Sequence, residues 1–182
     1  WQATNLSLFG PGTASGTFDF FTEAVNGDGG ASRTDYTPSE DDNVIVQGVS
    51  SNAGAMGYFG FAYYEQNRER LKLLSIDGVT PSAETIASGQ YALSRPMFIY
   101  VNAEALRRPQ VRRFVDYFIQ NSATLAPRVG YVALPADAYA AMTTRVANNE
   151  TGTAFGGHNE VGLSIAQVLE RPLSAEAAPA PQ

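Results

Sequence analysis

Short unbroken apolar runs alternate along this chain with apolar residues at helical spacing, a pattern typical of α/β folds. The unbroken runs predict strands at 5–9, 54–60, 71–76, 97–101 and 129–134. Apolar spacings of three and four residues predict helices at 15–25, 41–49, 62–69, 82–88, 109–119 and 135–146. The segment 27–39 is rich in turn residues and predicts a loop. We therefore expect an α/β chain in which strands and helices follow one another.

The amino-acid composition excludes several classes of function and of binding site. The 182 residues contain 12 Lys and Arg against 18 Asp and Glu, a net charge of −6, which argues against a nucleic-acid partner. The chain has no cysteine and one histidine, His158, so disulfides, thiolate sites and multi-histidine metal sites are excluded, and we expect no metal and no cofactor. No apolar run reaches 18 residues, so no membrane-spanning segment is predicted.

The segment from Gly10 to Thr17 carries the most promising chemistry. It joins a predicted strand to a predicted helix, and Ser15 stands at the expected N-cap. Helix N-termini present backbone N–H groups and partial positive charge, and glycines let a ligand approach the backbone. One interpretation is a binding loop for a small oxyanion, and the other is an ordinary glycine turn capped by Ser15.

Three sharper motifs do not fit this segment. A dinucleotide fingerprint needs closer glycine spacing than positions 10, 12 and 16 provide. A P-loop needs a lysine after its last glycine, where this chain has Thr17. A nucleophile elbow needs G-x-S-x-G around Ser15, and residue 13 is a threonine. What remains is a helix N-terminus with hydroxyl groups beside it.

Four segments resemble the periplasmic phosphate-binding proteins, the solute receptors of phosphate ABC importers often called PstS, in their cyanobacterial-type branch. These segments are Leu8–Glu23, Ser32–Tyr36 with Ser39–Val44, Gly54–Tyr64, and Tyr91–Val101. The resemblance runs in order from about Leu6 to Leu169. It implies a class II periplasmic-binding-protein fold with two lobes and phosphate bound in the cleft between them.

The resemblance also implies a domain organisation. Family members carry a long N-terminal part before the Ser-Gly-Thr loop, so we expect this chain to be the C-terminal part of a longer receptor with its N-terminal part missing. Residues 1–94 would form the second lobe with the phosphate loop, and 95–170 would return to the first lobe. Residues 171–182, rich in Pro and Ala, predict a disordered tail. A second chain is one conceivable source of the missing part.

The family's phosphate-binding residues can be carried over individually. Ser15, Gly16 and Thr17 match its Ser-Gly-Thr triplet. Many relatives have an Arg and an Asp just before that triplet, where this chain has Pro11 and Thr13. Arg33, oriented by Asp35 on the following loop, is the substitute we expect, although the two could equally form a solvated pair.

A carboxylate facing the ligand would favour a protonated phosphate over a fully ionised oxyanion such as sulfate. The resemblance implies a periplasmic receptor and not an enzyme. Such a receptor captures inorganic phosphate and closes its lobes, and the closed form is recognised by a membrane permease. Two alternatives stay open. The chain could be a structural or assembly protein that reuses the fold, or a serine hydrolase that uses Ser15 with His158.

Overall fold

The computed structural model describes residues 5–155 and 160–174, and it divides the chain into two compact units, Trp1–Leu73 and Leu74–Gln182. The first unit contains a three-stranded sheet and the helices that cover it. The second unit is built from helices and the segments that connect them. The predicted α/β class is therefore confirmed, with the sheet confined to the first unit in the described part of the chain.

All strand pairs of the first unit are parallel. The strands are β1 (Ser7–Pro11), β2 (Thr37–Ser39) and β3 (Ala55–Gly57), in the order β2-β1-β3. The helices are α1 (Gly16–Asn26), α2 (Asp42–Ser50) and α3 (Phe61–Glu65). Because parallel strands end at one common edge, the segments that follow β1 and β2 lie at the same edge of the sheet.

The helix α2 packs closely on the central strand β1. Ile45 is fully buried and Val46 is 3% exposed. A Cβ atom on Gly48 would lie 2.3 Å from the ring of Phe9, so only glycine allows this approach of helix to strand. On α1, Phe18 is buried in the same unit. The contacts of α2 with β1 hold this helix in place relative to the sheet.

The second unit has a separate core. Its helices are α4 (Ala83–Ala87), a 3₁₀ turn at Ala105–Arg107, α5 (Pro109–Arg128), α6 (Ala136–Ala147) and α7 (Ile165–Glu170). Val115 and Ile119 of α5, Ala138 of α6 and Val168 of α7 are buried. No helix in the described residues is both long enough and apolar enough to cross a membrane.

Three predicted strands are not strands in the structure. The segments 71–76, 97–101 and 129–134 find no strand partner among the described residues, apart from an isolated bridge between Ile76 and Val79. A strand needs a neighbour for its backbone groups, so an apolar run alone does not make one. Conversely, β2 lies inside the predicted loop 27–39, because a three-residue strand with a central proline gives no apolar signal.

Residues 171–174, the last described residues, form backbone hydrogen bonds and an ion pair. Thr153 and Ser174 exchange two backbone hydrogen bonds, and Arg171 pairs with Glu160 at 2.6 Å. Residues 171–174 belong to the segment that was predicted to be disordered, and the rest of that segment lies outside the described residues. The predicted lobes, 1–94 and 95–170, stay a prediction.

Candidate anion-binding site

The loop between β1 and α1 lies at the carboxyl edge of the sheet. Ser15 is the N-cap of α1, and its Oγ accepts a hydrogen bond from the backbone N–H of Thr17 at 3.2 Å. Ser15 and Thr17 are half-buried, and Gly16 is exposed. The expected capping role of Ser15 is thus confirmed, and the predicted triplet occupies the first turn of an 11-residue helix.

The start of α1 is suited to negative charge. Helix N-termini carry a partial positive charge, and their first backbone N–H groups have no partner within the helix. Here the Ser15 hydroxyl oxygen takes one of these donors, so the helix is capped by its own side chain. An oxyanion could replace that oxygen, because a serine hydroxyl rotates easily and can itself donate to the anion.

Two hydrogen bonds tie this loop to the neighbouring strand segment, and a third closes a turn within the loop. The hydroxyl of Tyr36 donates to the carbonyl of Pro11 at 3.1 Å. The N–H of Gly12 donates to the carbonyl of Ser39 at 3.2 Å, and the N–H of Ser15 closes a turn onto Gly12 at 3.1 Å. The loop geometry therefore depends on residues that lie about 25 positions further along the chain.

Glu40 approaches the same loop and was missed by the sequence analysis. Its Oε1 accepts a long hydrogen bond, 3.4 Å, from the N–H of Ala14. A Cβ atom on Gly12 would lie 2.0 Å from that oxygen, so glycine at this position leaves room for the carboxylate. The contact follows from the parallel pairing of β1 with β2, which no local pattern in the sequence reveals.

Tyr58 packs against Gly10 in β1, the strand that leads into this loop. Its ring stacks on Phe21 with centroids 3.8 Å apart, and a Cβ on Gly10 would lie 2.8 Å from it. Its hydroxyl oxygen is buried and has no hydrogen-bond partner among the described residues. Desolvation, with a smaller contribution from the charge of Tyr36, raises the pKa of Tyr58 to about 12.

Arg33 and Asp35 lie together on the connection between α1 and β2. The guanidinium Nε and Nη2 bind the two carboxylate oxygens at 2.5 and 2.6 Å. Both side chains are mostly exposed. The hydrogen bond raises the pKa of Arg33 and lowers the pKa of Asp35. Within the described part of the chain, the guanidinium forms no hydrogen bond or ion pair with any other side chain, so the structure forms the predicted pair without bonding it to Ser15 or Thr17.

The other polar residues considered for the site include two aspartates at the start of α2. Asp41 caps α2, since its Oδ1 accepts from the N–H of Asn43 at 2.9 Å, so it precedes the helix that was predicted at 41–49 and is not its first residue. Burial, followed by the charge of Asp41, raises the pKa of Asp42. His158 lies outside the described residues. Over the ranges 5–155 and 160–174, no group of three or more His, Cys, Asp or Glu side chains could hold a metal ion.

Comparison with known proteins gives a consistent picture. Residues 1–122 match the model of the PBP superfamily domain. The protein SphX of Synechococcus elongatus is 46% identical over 171 residues, which are 91% of this chain and 50% of that protein. The phosphate-binding protein PstS of Staphylococcus haemolyticus is 38% identical over 147 residues, which are 76% of this chain and 45% of that protein.

A solved structure is also similar. It is described as a possible phosphate binding protein from Planctomyces limnophilus, with a TM-score of 0.69 and 40% sequence identity. The match covers 83% of this chain and 56% of the solved one. The chain thus spans about half the length of the curated relatives it matches.

Proposed function

Because this chain belongs to the PBP superfamily, we propose that it binds inorganic phosphate at the N-terminus of α1. The observation that carries this proposal is the position of Ser15, Gly16 and Thr17 in the first turn of a helix that follows the central parallel strand. Ligands of open α/β sheets bind at the carboxyl ends of the strands, and helix N-termini favour anions. The relatives named as phosphate-binding proteins support the choice of phosphate over other oxyanions.

In this proposal, a small set of hydrogen-bond donors at the start of α1 binds the phosphate. Phosphate oxygens accept from backbone N–H groups at the start of α1 and from the hydroxyls of Ser15 and Thr17. Gly16 carries no side chain, which leaves the anion room to approach the exposed backbone. The helix dipole contributes further attraction to the charge of the anion.

Arg33 assists from the neighbouring loop in this proposal. Its pairing with Asp35 uses Nε and Nη2, so Nη1 keeps its donors for an anion. Asp35 would then orient the guanidinium, as the sequence suggested. The exposed pair by itself contributes little to folding, because solvent screens it, so its effect on binding can be measured separately.

The whole protein is, in this proposal, a periplasmic solute-binding receptor and not an enzyme. It closes two lobes on phosphate and delivers it to the membrane permease of an ABC importer. The chain spans 50% of the SphX relative, and the apolar run 97–101 has no strand partner among the described residues. We therefore expect a further part of the receptor, from the same protein or from a second chain, to complete the lobe that contains 95–170.

The two alternatives make different predictions. A structural or assembly protein built on this fold would bind no phosphate. A hydrolase would use Ser15 with His158, and its activity on a generic ester would vanish in Ser15→Ala. A receptor shows phosphate binding and no ester turnover.

Titration calorimetry with the full-length protein tests the site. Thr17→Val removes one hydroxyl bond to a charged oxygen, worth roughly 1.5–3 kcal/mol, so phosphate affinity should fall about tenfold or more. Gly16→Val should crowd the anion and weaken binding as well. Thr124→Val, an exposed threonine of α5 in the second unit, is the matched control and should bind normally. Unchanged affinity in both Thr17→Val and Gly16→Val would remove this loop from the site.

The contribution of Arg33 needs its own pair of variants. Arg33→Ala should weaken phosphate binding at least as much as Thr17→Val if the guanidinium reaches the anion. Arg68 forms a similar exposed pair with Glu65, so Arg68→Ala controls for the loss of one surface cation. Equal, small effects of the two variants would show that Arg33 is a surface residue.

A further inference from the structure

A carboxylate lies in the loop that the proposed function assigns to phosphate. Glu40 follows β2 directly, and its Oε1 accepts from the N–H of Ala14, one residue before the N-cap of α1. The oxygen lies over Gly12 at a distance that no Cβ atom would tolerate. A negative group of the protein therefore occupies a donor at the site where an anion is expected.

In the described part of the chain, no neighbouring cation neutralises the charge of Glu40. Within residues 5–155 and 160–174, no Lys or Arg nitrogen lies within 4 Å of its carboxylate. Asp41 and Asp42 follow it immediately and add negative charge to the same segment. The start of α1 is thus the favourable partner of this carboxylate, by the same dipole that would attract phosphate.

The fold makes little use of Glu40. The side chain is exposed, and Asp41, not Glu40, caps α2. The loop itself is held by backbone and tyrosine hydrogen bonds that do not involve Glu40, those of Gly12 with Ser39 and of Tyr36 with Pro11. The carboxylate could therefore leave the loop without disturbing the sheet.

We propose that Glu40 competes with phosphate for the α1 loop: it contacts the loop when the ligand is absent and must move away, against like-charge repulsion, when the ligand binds. This role rests on the proposed function. It makes Glu40 a residue that limits affinity, in contrast to Ser15 and Thr17, which provide it. Glu40 should weaken the binding of sulfate at least as much as that of phosphate, because sulfate carries no proton that a nearby carboxylate could accept.

The variant Glu40→Gln tests this role, since it keeps the size and an acceptor oxygen but removes the charge. We expect phosphate affinity to rise about two- to fivefold, the effect of one charge at a helix N-terminus, and sulfate affinity to rise at least as much. The gain should shrink at high salt. Glu69→Gln removes an equal charge from an exposed position elsewhere in the first unit and should leave affinity unchanged.

The outcomes separate the two proposals. If the unchanged protein binds phosphate and Glu40→Gln binds it equally or more weakly, the competition is refuted while the proposed function stands. If no variant binds phosphate, the proposed function fails and the competition fails with it. A crystal structure with phosphate gives a second readout: Glu40 Oε1 should lie beyond hydrogen-bond distance from the N–H of Ala14, and a retained contact would overturn the proposal.

Discussion

Two five-residue apolar segments of this chain behave in opposite ways. Ser7–Pro11 is the central strand of a parallel sheet, with β2 on one side and β3 on the other. Met97–Val101 is at least as apolar, yet no described residue bonds to its backbone, and Tyr100 is 82% exposed. A strand is therefore a property of a segment and its neighbours together.

The second segment carries the features of an incomplete structure. With α5 it borders a groove of about 500 Å³ whose lining includes Ile99, Val101, Val111, Phe114 and Phe118. Exposing such an apolar surface to water costs free energy. The unpaired backbone of the segment 97–101 also offers an edge to which another strand could bind. The contrast supports the proposal that a further part of the receptor completes this part of the second unit, whereas β1 already has a strand partner on each side.

The largest expected effect compares two isoleucines. Ile45 is fully buried beneath β1, and Ile99 is 46% exposed in the unpaired segment. Ile45→Ala should lower the free energy of unfolding by about 2–5 kcal/mol, because it leaves a cavity. Ile99→Ala should change it by less than about 0.5 kcal/mol in the 182-residue chain. Denaturant unfolding of the two variants measures both, and equal losses would break the comparison.

Amide hydrogen exchange sharpens the same contrast without mutation. The amides of β1 should be protected by the sheet, whereas those of residues 98–101 should exchange at rates close to those of an open chain. If a completing part of the receptor is added and pairs with this segment, its amides should become protected by about tenfold or more, the effect of a change of 1.4 kcal/mol. Strong protection of 98–101 in the 182-residue chain alone would contradict the proposed need for a partner.

A smaller effect separates two tyrosines of the first unit. The hydroxyl of Tyr36 donates to Pro11, so Tyr36→Phe should lower stability by about 0.5–1.5 kcal/mol. The buried hydroxyl of Tyr58 has no described partner, so Tyr58→Phe should be neutral or stabilising. Thermal unfolding of the pair decides the point. A clear loss in Tyr58→Phe would mean that its hydroxyl has a ligand or a water as its partner.

The last expected effect is a pH dependence. Burial raises the pKa of Tyr58 to about 12, above the ordinary value of 10.0 that applies once the chain unfolds. The folded state therefore disfavours the phenolate, and stability that is present below pH 10 should be lost as the pH rises toward 12. Ultraviolet titration of tyrosinate, with Tyr58→Phe as the reference, should show this late step. Titration of every tyrosine near pH 10 would contradict it.

The sequence predicted local structure better than it predicted spatial neighbours. The cap at Ser15 and the extent of α1 follow from residue types within a few positions of each other, and both are confirmed. Glu40 and Tyr58 lie near the loop only because β2 and β3 pair with β1 on either side. Sheet order depends on contacts distant in sequence, which periodicity does not encode. The roles of the predicted ligand residues stay predictions.

The contact between Gly48 and Phe9 has a consequence for the natural history of this protein. Because the ring fills the space that a side chain at position 48 would need, the two positions cannot both be large. Relatives with alanine or a bulkier residue at the position of Gly48 should have a smaller residue at that of Phe9, so substitutions at the two should be inherited together. The packing of helix on strand would then be visible in a family tree as a correlated pair.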